Sequence, residues 1–232
     1  TSASRQTWMS GGAVLGAAQA VLAKLFAHVA AEHGVEVSSL SIDGGDVVDA
    51  AGVLRLPVVD AVKGFSADET FEHHHPPTEE LDENGQGNCH TAFAFAAHRA
   101  VVDVDAELGL VKVVEVATVQ DIGRALNPLS VVGQIEGGIA QGVGLAVMEE
   151  IIQVDGYVKN ASFTDYLLPT FLDMPPVKIA LVEEREPLSP LGAKGVGEPP
   201  TVSSTPAVVA AIRDACGRDL ARVPVRPYDI CG

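Results

Sequence analysis

The chain has 232 residues, 47% of them apolar, and a formal net charge of −16. That suffices for a sizeable core in one compact region of one or two lobes, with no apolar run near the roughly 18 residues of a membrane span. The acidic excess excludes nucleic acid, whose phosphates it would repel, and weighs against anionic membrane surfaces, which leaves small molecules and other proteins as partners.

Thr1 stands where an initiator methionine is absent, and TSASRQTWMSGGAV enters a motif without a leader, so the chain reads as cut or processed. A helix is expected from about Gly12 to His33, burying Val14, Leu15, Ala18, Val21, Leu22, Leu25, Phe26 and Val29 and ending at Gly34. VEVSSLSI and VVDAAGV flank DGGD (residues 43–46), a hairpin turn, and a short helix follows near Pro57 to Val62. Phe65 to His90 is polar and irregular, a long loop of the kind that is often functional. Strands are expected over 92–104 and 111–120, joined by a turn near Leu108 and Gly109.

Ser130 to Glu150 has helical apolar spacing at Val131, Val132, Ile135, Ile139, Val143 and Val147, with Ser130 as its capping residue. It also carries glycines at 133, 137, 138, 142 and 144, which give up roughly 4 to 5 kcal/mol of helix propensity. Such a helix admits something close to its surface, either another helix or a flat ligand. Gln134 and Gln141, seven residues apart, share one face and offer amides there. A further strand pair is expected next, then a loop, then a last helix from about Pro206 to Cys216 with proline in its first turn. The pattern is α+β with a mixed or antiparallel sheet.

The loop before that last helix is GAKGVGEPP (residues 192–200). It sets one carboxylate, Glu198, among Gly192, Gly195 and Gly197 on one side and Pro199 and Pro200 on the other. The glycines remove bulk, and Pro199 biases Glu198 toward extended backbone, so the loop presents a general acid or base. Metal ligation by His73, His74, His75, Cys89 and His90 is not expected, because consecutive histidines diverge. Cys89, Cys216 and Cys231 form neither a disulfide framework nor a zinc pattern, which fits a reducing, cytoplasmic setting. Thr1 as the nucleophile of an N-terminal-threonine hydrolase, and a non-catalytic interaction domain packed through its glycine helix, are the alternatives from other classes.

TSASRQTWMSGGAV, GQGNCHTAFAFAAHRAVVDVD, QDIGRALNPLSVVGQIEGGIAQGVGLAVMEE and AKGVGEPP, in this order, resemble the C-terminal part of the molybdenum-cofactor-binding subunit of the xanthine dehydrogenase family. The similarity runs over nearly the whole chain, and the family subunit is several times longer. It implies a molybdenum hydroxylase that adds water-derived oxygen to an electron-poor carbon of a purine, with an aldehyde or another N-heterocycle as alternative substrate. Residue by residue, Glu198 matches the general base, Gln134 a glutamine that hydrogen-bonds the pterin, and Thr1, Ala3 and Ser4 the stretch that holds the cofactor. Gly195 and Gly197 belong to the same cofactor-binding motif. The metal is then held by the molybdopterin dithiolene and by no protein side chain. The resemblance further implies a 2Fe-2S cluster and FAD on other domains or subunits, the rest of the molybdenum subunit as a partner, and a chain that by itself lacks cofactor and activity.

Overall fold

The computed structural model describes residues 3–231. The chain divides into two units, residues 7–75 and the remainder, each with its own core, within the one or two lobes that its length leads one to expect.

The smaller unit is built on α1 (Gln6–His33), which Gly34 closes at a φ of +67° while its N–H reaches the Ala30 carbonyl at 2.9 Å. Leu25, Val29 and Ala30 are buried with Leu40, Val47 and Ala61, as the spacing of the helix's second half requires. The first half departs from expectation, because its buried positions are Gly12 and Gly16 while Val14 is 69% exposed. Segment 65–75 supplies the reason. A Cβ on Gly16 would stand 2.2 Å from the Phe71 ring and one on Gly12 2.6 Å from the His73 ring. Part of the expected long loop is therefore a strap laid along the helix. With only Ser10 and Gln19 polar between Trp8 and Ala23, α1 is long and apolar enough by length and composition to cross a membrane, which corrects the expectation of no such run.

β1 (Leu40–Asp43) and β2 (Asp46–Asp49) pair antiparallel with Asp43 opposite Asp46. That register makes Gly44 and Gly45 the two-residue turn, both at positive φ, as the DGGD hairpin demands. β3 (Arg55–Pro57) completes a three-stranded sheet, and α2 (Val58–Ala61) follows it directly.

In the larger unit, β4 (Ala96–Asp105) and β5 (Leu110–Asp121) form an antiparallel pair, and β8 (Val177–Val182) joins the far side of β5 in parallel, Val116 beside Val177. The sheet is thus mixed, as the α+β reading anticipates. Between β5 and β8 come α3 (Pro128–Val147) and a two-residue hairpin of β6 (Gln153–Val154) and β7 (Tyr157–Val158). α4 (Pro199–Cys216) and α5 (Pro227–Cys231) complete the unit. Ile135, Ile139 and Val143 of α3 and Val208 and Ile212 of α4 are buried with Val113 and Val116 of β5. Each such side chain contributes about 1.5–3 kcal/mol of burial. Across the sheet, Glu115 of β5 lies 2.5 Å from both Lys178 of β8 and Arg99 of β4, and these cations, Lys178 first, hold its carboxyl below the usual carboxylate range.

Two helix starts differ from the sequence reading. α3 begins one turn earlier than its apolar pattern, with Pro128 in its first turn and Asn127, not Ser130, as the cap; the Asn127 side chain accepts from the Ser130 N–H at 3.1 Å. α4 begins at Pro199, so Pro206 lies inside it, and Glu198 takes right-handed helical backbone (φ −91°, ψ −38°) in place of the extended form. Two consecutive prolines preset the first turn and need no hydrogen-bond partners there, which outweighs the usual bias on the residue before proline.

Candidate active site

The Glu198 loop is fastened to the open end of β5. Lys194 donates its backbone N–H to the Ile122 carbonyl at 2.9 Å, and the Arg124 N–H reaches the Gly192 carbonyl at 2.7 Å. Gly192 and Gly123 are both at positive φ, and at Gly123 a Cβ would stand 2.5 Å from the Gly192 oxygen. Between them Lys194 Nζ meets Asp121 Oδ2 at 2.5 Å, with the two side chains only 9% and 11% exposed. Removing one partner of such an enclosed pair leaves an uncompensated charge, at a cost of about 3–5 kcal/mol. The pair is not among the features expected from the glycines of GAKGVG. Its signal was a lone cation inside a glycine-rich loop, matched by the acid that opens DIGR.

Past that anchor the chain turns back over the N-terminal segment. The Ser4 hydroxyl donates to Glu198 Oε2 at 2.7 Å and accepts from the Glu198 N–H at 3.0 Å. Ala3 and Ser4 are both at positive φ, 59° and 48°. Two successive residues other than glycine in that region cost about 1–2 kcal/mol each and persist only where their surroundings hold them. Gly195 and Gly197 provide the room. A Cβ on Gly195 would stand 2.9 Å from Ser4 Cβ, and one on Gly197 3.0 Å from Ser4 Oγ and 3.4 Å from Gln134 Oε1. These glycines thus admit the N-terminal segment directly.

Ser4, Gln134 and Glu198, which come from three distant parts of the sequence, therefore meet at Gly197. Glu198 and Gln134 are exposed and Ser4 half-buried, so the meeting point lies at the surface of the unit. Ala3 stands beside it, its carbonyl 3.5 Å from where a Gly195 Cβ would lie. Thr1 lies outside the described residues.

The glycines of α3 divide by face. Gly138 and Gly142 lie under α4, where a Cβ would come within 2.7 Å of Pro200 Cβ and 1.8 Å of Ser204 Oγ. Gly144 lies under Glu149 and Pro169, while a Cβ on Gly133 or Gly137 would meet nothing within 4 Å among the described residues outside its own helix turn. Gln141 is exposed like Gln134, but its Oε1 is turned toward α4, 3.2 Å from the Thr201 hydroxyl. The histidines disperse: the His73 ring rests on Gly12, His74 faces Glu72 at 3.0 Å, and Cys89 Sγ lies 3.0 Å from His90 Nδ1.

Residues 1–175 match the family described as molybdopterin cofactor-binding domain. The chain belongs to that family. It is 31% identical over 236 residues to the xanthine dehydrogenase molybdenum-binding subunit of Escherichia coli O157:H7, covering 97% of this chain and 30% of the relative. To the nicotine 6-hydroxylase large subunit of Paenarthrobacter nicotinovorans it is 32% identical, covering 99% of this chain and 29% of the relative. Among solved structures, quinoline 2-oxidoreductase from Pseudomonas putida 86 superposes with a TM-score of 0.81 at 30% identity, over 99% of this chain and 30% of that one. The chain thus spans about a third of the length of these relatives.

Proposed function

We propose that the larger unit supplies the base-bearing wall of a molybdenum hydroxylase, and that Glu198 is its general base. The observation that carries this reading is the meeting of Ser4, Gln134 and Glu198 at Gly197, three chemically capable side chains brought from distant parts of the sequence to one exposed place. The residues fit a molybdopterin. Gln134 presents an exposed amide for hydrogen bonding to a flat heterocycle, and beside it Gly133 and Gly137 leave bare backbone where side chains would intrude. Gln134 and the Ala3–Ser4 backbone would hold the group, which when bound supplies two-electron oxidation of a carbon that takes its oxygen from water. Glu198 accepts the proton that this oxygen source gives up, from a place fixed by the anchored loop and the helix start. Lys194 and Asp121 fix the loop's height above the sheet, and Pro199 and Pro200 fix the direction in which it enters α4.

Purine as substrate is the finer part of the proposal. It rests on the likeness to the xanthine dehydrogenase subunit, set against relatives whose names specify nicotine and quinoline. The working protein would be a complex in which other parts carry the 2Fe-2S cluster and FAD. In the complete complex, Glu198→Gln should lower kcat on xanthine about 10²- to 10⁴-fold with KM little changed. Near-normal turnover in that variant removes Glu198 from the mechanism. Turnover of quinoline or an aldehyde, but not xanthine, by the unaltered complex leaves the base in place and removes the purine.

A further inference from the structure

The same meeting point assigns Ser4 a second and more specific part. One hydroxyl grips both ends of a single residue: its O–H is spent on Glu198 Oε2 at 2.7 Å, and its oxygen takes the Glu198 backbone N–H at 3.0 Å. A glutamate has three side-chain torsions to fix, and tying its carboxylate to its own amide through a third atom removes most of that freedom. The residues around Ser4 are arranged to permit the grip. Ala3 and Ser4 hold positive φ, and Gly195 and Gly197 vacate the space that Ser4 fills. The amide that Ser4 takes belongs to Glu198 at the N-cap of α4, a position whose N–H finds no partner in the helix ladder.

We propose that Ser4 is the positioning residue of the base: it holds Glu198 Oε2 so that Oε1 is the oxygen presented to the proton. This rests on the reading of Glu198 as general base and adds to it. It also parts company with a purely cofactor-binding role for Ser4, because the hydroxyl's donor is already committed to the carboxylate.

The test uses the complete complex carrying Ser4→Ala and, separately, Ser4→Gly. The glycine variant relieves the positive φ while deleting the hydroxyl, so it separates backbone strain from hydrogen bonding. Both variants should lose kcat on xanthine roughly 10- to 100-fold, the worth of a hydrogen bond to a charged group. KM should stay within about twofold and the molybdenum content should not fall. Added to Glu198→Gln, either change should cost nothing further, because Ser4 acts through that carboxylate. Full turnover in Ser4→Gly, a loss that follows departing molybdenum, or additivity with Glu198→Gln would each overturn the proposal. A crystal structure of the Ser4→Ala complex decides it independently of turnover. Expected is a Glu198 carboxylate that leaves its single position while residues 195–197 keep theirs, and a carboxylate that stays put refutes the positioning role. Near-normal activity in Glu198→Gln would instead sink the base reading, leaving the structural arm to judge Ser4 alone.

Discussion

Two helices in this chain are rich in glycine, one in each unit, and they use the missing side chains differently. On α1, Gly12 and Gly16 are covered by the His73 and Phe71 rings of a strap that carries no secondary structure. On α3, Gly138 and Gly142 are covered by another helix, whose Thr201 and Thr205 hydroxyls donate to the Gly138 and Gly142 carbonyls at 3.1 and 3.0 Å. A second pair on α3, Gly133 and Gly137, is covered by nothing among the described residues. The absence of a side chain therefore has three meanings here: rigid helix contact, adaptable ring contact and an open place. Only what occupies the vacated space tells them apart.

Substitution by alanine separates the three. The largest effect is expected at Gly142, where the new methyl would overlap Ser204 with the Thr205 backbone N only 3.2 Å away. Ser204 is fully buried and α4 is packed into the core through Val208 and Ile212, so Gly142→Ala should cost about 2–3 kcal/mol in urea unfolding. An unchanged midpoint would mean that the helix crossing is softer than its geometry implies. Gly16→Ala should cost less, about 1 kcal/mol, although its clash with Phe71 is nearly as close. Phe71 is already 47% exposed and can rotate away at the price of one ring contact. Limited proteolysis of segment 65–75 should then quicken, and an unaltered cleavage rate would show that the strap is held by something other than this ring. Gly133→Ala should have the smallest effect and the opposite sign, a gain of about 0.5–1 kcal/mol from helix propensity alone. In the complete complex the same change should lower molybdopterin content if that face holds the cofactor. Gain in stability with full cofactor content would mark the open pair as mere surface.

Much of this was legible in local sequence. The DGGD turn announced its hairpin, the apolar spacing of α3 gave its buried face, and the resemblance carried Ser4, Gln134 and Glu198 to one place before their distances were known. What escaped depended on competition between local rules or on remote partners. Pro199 and Pro200 bear on both the residue before them and the helix after them, and only the core under α4 decided for the helix. Nothing near Gln141 revealed that Thr201, 60 residues on, would engage it. The parallel pairing of β8 with β5 and the enclosed Lys194–Asp121 pair are likewise products of register between distant segments. The first half of α1 buries glycines under a strap, and such a contact leaves no apolar periodicity in the sequence.

Ser4 and Glu198 stand 194 positions apart along the chain, so their junction closes a very long loop. Closing a loop of that length carries an entropic cost that local contacts do not. Until Ser4 and Glu198 have met, the wall proposed above would lack its acid's partner, and a cofactor would find only part of its site. The site as proposed thus depends on an intact path of chain from residue 4 to residue 198.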